Sequence, residues 1–175
     1  MKQSSAQAAA VPSHLIADTH GARYATIGDD RVELVEPVGR RGRIVVGVDG
    51  SEASVTALRR GIRMANALNA SVEAITSWRF MTAYGAASEF GYTPEEDAVS
   101  ILSGAVKSAF GQRIPQWFTG KTIEGNADQV LIDQSRGAEM LVVGSRGHGG
   151  LAGVLLGSIS AECAEHAHCP VLIIH

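Results

Sequence analysis

Short apolar runs alternate with amphipathic segments from residue 43 onward, and this alternation limits the possible folds more than any other feature of the chain. The run at residues 44–48, IVVGV, is almost continuously β-branched, which is typical of a strand buried on both faces. Similar strands are predicted at residues 72–77, 140–143 and 171–174, and a less apolar one at residues 117–123. Strands that alternate with helices form a mainly parallel sheet covered by helices on both faces.

Turn and capping residues mark the ends of four predicted helices. The first follows residues 49–51 (DGS), with Asp49 or Ser51 as its N-cap, and runs to Leu68. The second begins at residues 93–96 (TPEE), which place a proline at the first helical position, and ends near residue 111. The third and fourth cover residues 126–135 and 157–166. With right-handed crossovers, this order predicts an α/β, Rossmann-like fold: a doubly wound, mainly parallel five-stranded sheet with helices on both faces.

Residues 1–42 differ from the rest of the chain and are predicted to form an N-terminal extension to a folded domain that covers residues 43–175. Residues 1–23 are rich in small and polar side chains without a sustained period. Alternating apolar residues flank the Gly-Asp-Asp at 28–30, a pattern that fits a short hairpin and a disordered linker equally well. The basic residues 40–43 (RRGR) join the extension to the domain.

Charge and hydropathy argue against several classes of function. The chain has 15 Lys and Arg residues against 18 Asp and Glu, and the basic residues are scattered, so no basic face for nucleic acid is expected. No apolar run approaches the roughly 20 residues that span a bilayer. The N-terminus also lacks the layout of a signal peptide. We therefore expect a cytoplasmic protein without a membrane or nucleic-acid partner.

A glycine-rich segment follows the fourth predicted strand and precedes the last helix. Its glycines are Gly144, Gly147, Gly149, Gly150, Gly153 and Gly157. Glycine permits positive φ and lets backbone amides approach an anion closely, and the start of a helix adds partial positive charge. Because the carboxyl ends of parallel strands meet at one sheet edge, residues 49–51 lie beside this segment. The pattern predicts a polyphosphate site to which Ser158 and Ser160 donate hydroxyl hydrogen bonds.

The glycine spacing matches neither common phosphate-binding fingerprint, since the loop has no lysine and no G-x-G-x-x-G follows the first strand. It reads G-x2-G-x9-G-S, from Gly144 to Ser158. With IVVGVDGSEAS at 44–54, VEAITSW at 72–78 and the block ADQVLIDQSRGAEMLVVGSRGHGGLAGVLLGSISAECAEHAHCPVLII, the chain resembles the universal stress proteins, specifically the branch that binds ATP. The resemblance covers about residues 43–175, although residues 79–111 match only in general layout.

The resemblance implies a fold similar to that of the adenine nucleotide alpha hydrolases, and a site for ATP. It implies that Asp49 contacts the adenosine, that a main-chain group of Ser77 reads the adenine edge, and that Val143 packs on the base. Gly144 then lies near the ribose, and the later part of the loop holds the phosphates. For Arg146 and His148, contact with phosphate and exposure to solvent are both open. The full predicted set is Val48, Asp49, Gly50, Ser77, Val143, Gly144, Arg146, Gly147, His148, Gly157, Ser158, Ile159 and Ser160.

The resemblance further implies Mg²⁺ beside the triphosphate, with water supplying most of its ligands. It also implies a homodimer that pairs through the last strand, which consists of Val171, Leu172, Ile173 and Ile174. We expect no protein metal ligand and no catalytic residue, because the cradle lacks a lysine, an acidic pair and a catalytic loop. The expected function is that of an ATP-binding stress-response regulator with an unknown regulatory protein partner. Two alternatives stay open: a nucleotide-independent adaptor that recruits a partner through residues 1–42, and a slow ATPase.

Overall fold

The computed structural model of the chain describes residues 16–17, 23–27, 30–34, 40, 42–80, 93–147 and 156–175. Its backbone contacts divide the chain into two units, Met1–Gly39 and Arg40–His175. Each unit has a β-sheet of its own. Within the described residues, no helix combines the length and the apolar character needed to cross a membrane.

The first unit contains three short antiparallel strands, β1 (Ile16–Ala17), β2 (Arg23–Ile27) and β3 (Asp30–Leu34), in the order β1-β2-β3. Ile27 pairs with Asp30, so two residues connect β2 to β3. Two-residue connections are the most common hairpin loops. Of the two readings that the sequence allows around residues 28–30, the paired strands have the geometry of the hairpin.

The second unit alternates strands and helices along the chain. The elements are β4 (Arg43–Gly47), α1 (Glu52–Leu68), β5 (Ser71–Trp78), α2 (Pro94–Phe110), β6 (Phe118–Glu124), α3 (Ala127–Gln134), β7 (Met140–Gly144), α4 (Ser158–His166) and β8 (Val171–Ile174). Their strands form one sheet in the order β6-β5-β4-β7-β8, and every pairing in it is parallel. The predicted Rossmann-like, doubly wound sheet of five strands is therefore confirmed.

The strand order reverses between β4 and β7, and this reversal determines where a ligand can enter. From β4 the chain builds outward through β5 to β6, then crosses back to place β7 and β8 on the other side of β4. The loops that leave β4 and β7 consequently diverge at the carboxyl edge and leave a crevice between them. Asp49 and Ser145 follow these two strands directly or nearly so.

The side chains of the strands alternate between two apolar cores on opposite faces of the sheet. Val46 and Val142 belong to the core that includes residues of α1 and α2, whereas Val45 and Leu141 belong to the core that includes residues of α3 and α4. All four valine and leucine side chains are fully buried. Burial on both faces explains why these strands are continuous apolar runs in the sequence.

Candidate functional site

The turn after β4 is organised by a chain of short hydrogen bonds that begins at Asp49. Asp49 Oδ1 accepts hydrogen bonds from the Ser51 amide at 3.0 Å and from Ser51 Oγ at 2.6 Å. Ser51 Oγ in turn accepts from the Ser54 amide at 3.2 Å, so Ser51 is the N-cap of α1. Of the two caps that the sequence allows, the structure selects Ser51, and Asp49 orients it.

The second carboxylate oxygen of Asp49 reaches across the crevice to the loop after β7. A Cβ placed on Gly147 would collide with Asp49 Oδ2, so any other residue at this position would displace the Asp49 side chain. Gly144 is similarly confined, because a Cβ there would lie 3.0 Å from the Ala53 backbone in the first turn of α1. The two glycines let the chain segments on both sides of the crevice come together.

Positive φ, one of the two reasons predicted for the loop glycines, is wrong for the three that the structure describes. Gly144, Gly147 and Gly157 do not have positive φ, and Gly157 has an extended backbone with φ −68° and ψ 158°. A Cβ on Gly157 would meet its nearest atom, the Ser145 carbonyl oxygen, at an ordinary contact distance of 3.4 Å. In the binding set, the glycine that needs its conformational freedom is Gly50, with φ +86°.

Two hydrogen bonds attach the start of α4 to the end of β7. The Gly157 amide donates to the Ser145 carbonyl at 2.7 Å, and Ser160 Oγ donates to the Gly144 carbonyl at 2.7 Å. The single hydroxyl proton of Ser160 is therefore engaged within the fold, and Ser160 is buried. This corrects the expectation that its hydroxyl donates to phosphate: it positions the helix terminus. Ser158, by contrast, is exposed at the first residue of α4.

The crevice between the two loops forms a cleft with a volume of about 170 Å³. Nine of the predicted binding residues line it: Val48, Asp49, Ser77, Val143, Gly144, Arg146, Gly147, Ile159 and Ser160. Gly50, Gly157 and Ser158 lie in the flanking turns and do not line it. His148 lies outside the described residues, as do the glycines at 149, 150 and 153.

The end of β5 presents to this cleft backbone groups that have no partner among the described residues. The pairing of β4 with β5 ends opposite Ile75, whose carbonyl accepts from the Val48 amide at 2.8 Å. Backbone polar groups of a strand point to alternate edges, so Ser77 directs its N–H and C=O to the edge that Ile75 uses, past the end of β4. Trp78 uses the opposite edge, where its carbonyl accepts from the chain after β6 at 2.8 Å.

Several further residues line the cleft that sequence reasoning missed. They are Gly47, Ser54, Ile75, Thr76, Ile101, Ala127 and Leu131. Ile101 and Leu131 come from α2 and α3, and their helical periodicity indicated burial in a core without indicating a place at the sheet edge. Thr76 directly precedes the predicted Ser77, and its hydroxyl is buried without a hydrogen-bond partner among the described residues.

The charged groups of the cleft are few. Among the described residues that line it, Asp49 is the one carboxylate and Arg146 the one cation, and Arg146 is exposed. The described part of the chain contains no group of three His, Cys, Asp or Glu side chains that could hold a metal ion. The remaining polar groups are backbone amides, carbonyls and hydroxyls, which bind ligands by hydrogen bonding.

Comparison with known proteins shows which family this chain belongs to. The model of the universal stress protein family matches residues 40–175, which include both loops of the cleft. This chain belongs to the universal stress protein family. The matched segment coincides with the second unit of the fold, whereas the three antiparallel strands of the first unit lie outside it.

Individual universal stress proteins are also similar to this chain in sequence or in fold. Universal stress protein Rv2624c of Mycobacterium tuberculosis is 32% identical over an alignment of 138 residues, and the match covers 75% of this chain and 47% of that protein. This chain thus spans about half the length of the curated relatives it matches. A solved universal stress protein in complex with cAMP is 27% identical with a TM-score of 0.59, covering 78% of this chain and 98% of its own. UspA from Lactobacillus plantarum has a TM-score of 0.65 at 21% identity, covering 78% and 99%.

Proposed function

We propose that this universal stress protein binds an adenine nucleotide, ATP, in the cleft between β4 and β7, and acts as a stress-response regulator in the cytoplasm. The observation that carries the proposal is the contact of Gly147 with the Asp49 carboxylate. It brings the turn expected to contact adenosine and the loop expected to contact phosphate into one cleft, at the topological switch point where α/β proteins bind ligands.

The phosphate end of the proposed site is assigned to the loop after β7 and the start of α4. The first amides of a helix have no partner within the helix, and they carry partial positive charge. No side chain caps α4, since its N-cap is Gly157. The hydrogen bonds of Gly157 and Ser160 fix this terminus against β7 beside the cleft. Exposed Arg146 is the cation that lines the cleft among the described residues.

The nucleoside end is assigned to the strand ends on the other side of the cleft. Val48, Ile75 and Val143 are apolar lining residues on which a flat base can pack. The backbone N–H and C=O of Ser77 form an adjacent donor and acceptor, which suits the hydrogen-bonding edge of adenine. The cleft volume of about 170 Å³ is below the 300–1,000 Å³ of typical ligand pockets, so it encloses part of a nucleotide and leaves the phosphates at its rim.

Two further considerations support this assignment. The solved universal stress protein in complex with cAMP shares 27% identity with this chain, and cAMP carries the adenosine and phosphate groups that the cleft would have to accept. A Mg²⁺ ion bound with ATP would take its ligands from phosphate and water, because the described residues offer no cluster of metal ligands. We assign no residue to it.

The scarcity of charged groups favours binding over hydrolysis. Phosphoryl transfer needs a group that positions the nucleophile and cations that stabilise the transferred charge. The described lining offers one carboxylate, and Asp49 Oδ1 is already held by Ser51. A protein that retains the nucleotide can report its concentration through its own conformation or assembly. Slow ATP hydrolysis stays an alternative. To test it, phosphate release by the wild type is compared with release by a variant that does not bind ATP, because a contaminating ATPase would give the same release in both.

The nature of the ligand can be tested directly on the purified protein. Mass spectrometry of small molecules released by denaturation is expected to detect an adenine nucleotide, and equilibrium dialysis is expected to show stronger binding of ATP than of GTP. Equal retention of both nucleotides would contradict the assignment of the base-reading edge. Absence of any binding at millimolar ATP would contradict the proposed function as a whole.

A second candidate role is a nucleotide-independent adaptor that recruits a regulatory partner through residues 1–42. It is motivated by the antiparallel strands β1 to β3, which form outside the segment that the family model matches. Removal of residues 1–39 is expected to leave ATP affinity unchanged, because every residue assigned to the cleft belongs to Arg40–His175. Isothermal titration of the truncated and complete chains measures this. A large loss of ATP affinity would show that the extension takes part in the site.

A further inference from the structure

One buried hydroxyl of the cleft has no hydrogen-bond partner among the residues that the structure describes. Thr76 is 3% exposed and lines the cleft, yet its Oγ1 makes no hydrogen bond to the residues that the structure describes. Buried polar atoms are hydrogen-bonded in the great majority of cases, because an unpaired one loses its bonds to water without replacement. Because Thr76 lines the cleft, a ligand in the cleft is a candidate for the missing partner of this buried hydroxyl.

The surroundings of Thr76 do not supply that partner. Side chains of a strand alternate between faces, so Thr76 shares the face of Val72 and Ala74, which belong to the core that includes α1 and α2. On that side the cleft is lined by Ile101, which is apolar, and by Ser54. Ser54 Oγ donates to the Ser51 carbonyl at 2.9 Å and accepts from the Asp49 amide at 3.4 Å, and it makes no hydrogen bond with Thr76 Oγ1.

The position of Thr76 in the sheet indicates which part of a nucleotide it meets. Thr76 lies on β5, and the glycine loop follows β7, with β4 between them. Neighbouring strands are about 4.8 Å apart, so the two sites are separated by about 10 Å. A nucleotide whose phosphates lie at the glycine loop reaches β5 with its opposite end.

We propose that Thr76 Oγ1 forms a hydrogen bond with the nucleoside end of the bound nucleotide and thereby contributes to affinity and selection of the ligand. This inference rests on the proposed function and adds a side-chain contact to the backbone groups of Ser77. It assigns to Thr76 a role in binding and none in the stability of the ligand-free fold.

The test is to replace Thr76 with valine, which keeps the branched shape and removes the hydroxyl. Thr76→Ser keeps the hydroxyl and serves as the conservative variant. Thr119→Val is the matched control, since Thr119 is exposed near the other end of the neighbouring strand β6. ATP and adenosine are titrated into each variant, and the thermal midpoint of each ligand-free protein is recorded.

Thr76→Val is expected to weaken ATP and adenosine binding by the same factor, about three- to tenfold, while the thermal midpoint does not fall. Thr76→Ser and Thr119→Val are expected to bind like the wild type. Unchanged affinity in Thr76→Val, a loss with ATP but not with adenosine, or a lowered midpoint of the ligand-free variant would each overturn the inference. If the wild type itself binds neither ligand, the proposed function fails, and this inference fails with it.

Discussion

The Asp49 carboxylate gives each of its two oxygens a different partner. Oδ1 orients Ser51, the cap of α1, whereas Oδ2 occupies the space that a side chain at position 147 would need. The side chain of Asp49 thus couples the N-terminus of α1 to the position of the loop after β7. A larger residue at position 147 would therefore disturb both the cap of α1 and the cleft.

The two cysteines are predicted to differ in reactivity. Cys163 is fully buried, and burial, with smaller effects from Asp128 and Glu162, raises its pKa from 9.0 to about 11. Burial also raises the pKa of Cys169, which is partly exposed. Since the thiolate is the reactive form, a maleimide at pH 8 is expected to modify Cys169 first and Cys163 only after unfolding. Equal rates for both thiols in the native protein would contradict this.

The raised pKa of Cys163 makes the free energy of unfolding depend on pH. A thiol whose pKa is raised on folding stabilises the native state below its unfolded pKa, and this contribution is lost as the pH rises from about 9 to about 11. Over that window the free energy of unfolding of the wild type is expected to fall by about 2 kcal/mol more than that of Cys163→Ala. Urea denaturation at a series of pH values measures the difference. A difference that stays constant with pH would refute the shift.

Sequence reasoning at the level of single residues succeeded where a residue type has one dominant use. It identified Ser51 as one of two possible caps, and nine of the residues it named line one cleft. It could not identify Thr76, because an unpaired hydroxyl is defined by what fails to contact it. Positive φ, one of its two reasons for the loop glycines, is wrong for Gly144, Gly147 and Gly157, because close approach and positive φ favour the same residue.

At the level of elements, two glycines in helices have opposite surroundings: one is tightly packed and the other is exposed. Gly61 in α1 lies against the sheet, where a Cβ would come within 2.7 Å of Val46 Cγ2. Gly104 in α2 is exposed, and a Cβ there would have no heavy atom within 4 Å. The sequence alone does not distinguish them, because both lie inside helical segments.

Alanine at these two positions is therefore expected to change stability in opposite directions. Gly104→Ala is expected to raise the free energy of unfolding by about 0.5–1 kcal/mol, because alanine restricts the unfolded chain and favours helix. Gly61→Ala is expected to lower it by about 1–2 kcal/mol, because overpacking outweighs the same gain. Chemical denaturation of both variants measures the change in the free energy of unfolding. Stabilisation by Gly61→Ala would contradict the close packing of Gly61 against Val46.

The strand β5 shows that a pattern of apolar residues predicts the position of a strand better than the contacts of its polar side chains. The sequence predicted a buried strand at 72–77, and the structure has β5 at Ser71–Trp78. Within it, Glu73 is buried, and its carboxylate binds Arg43 at 2.9 Å and Lys121 at 2.8 Å. Both partners come from neighbouring strands, so the compensation of this charge depends on a strand order that the sequence reveals only indirectly.

At the level of the whole molecule, β8 is an edge strand, and no other strand of the described residues pairs with its outer side. Pro170 and Ile174 accept hydrogen bonds from the β7 side, so by alternation Val171 and Ile173 direct their backbone groups away from the sheet. An apolar edge strand with free backbone groups favours pairing with another chain. We propose that it forms the homodimer contact that the family resemblance implies.

Proline at the outward-facing positions tests this contact. Ile173→Pro removes one outward amide from β8, and Thr122→Pro removes one from β6 at the opposite edge of the sheet. Sedimentation equilibrium is expected to show a dimer for the wild type and Thr122→Pro, and a monomer for Ile173→Pro, with circular dichroism as the check on folding. A folded Ile173→Pro that remains dimeric would place the contact elsewhere.

The central claim is that the cleft between β4 and β7 binds ATP, and calorimetric titration of ATP into the wild type, Gly147→Ala and Gly104→Ala tests it most directly. The wild type and Gly104→Ala are expected to bind one ATP per chain with equal affinity. Gly147→Ala is expected to bind at least about tenfold more weakly, since the added methyl group displaces the Asp49 carboxylate. No heat of binding in the wild type at millimolar ATP, or equal affinity in all three proteins, would contradict the account.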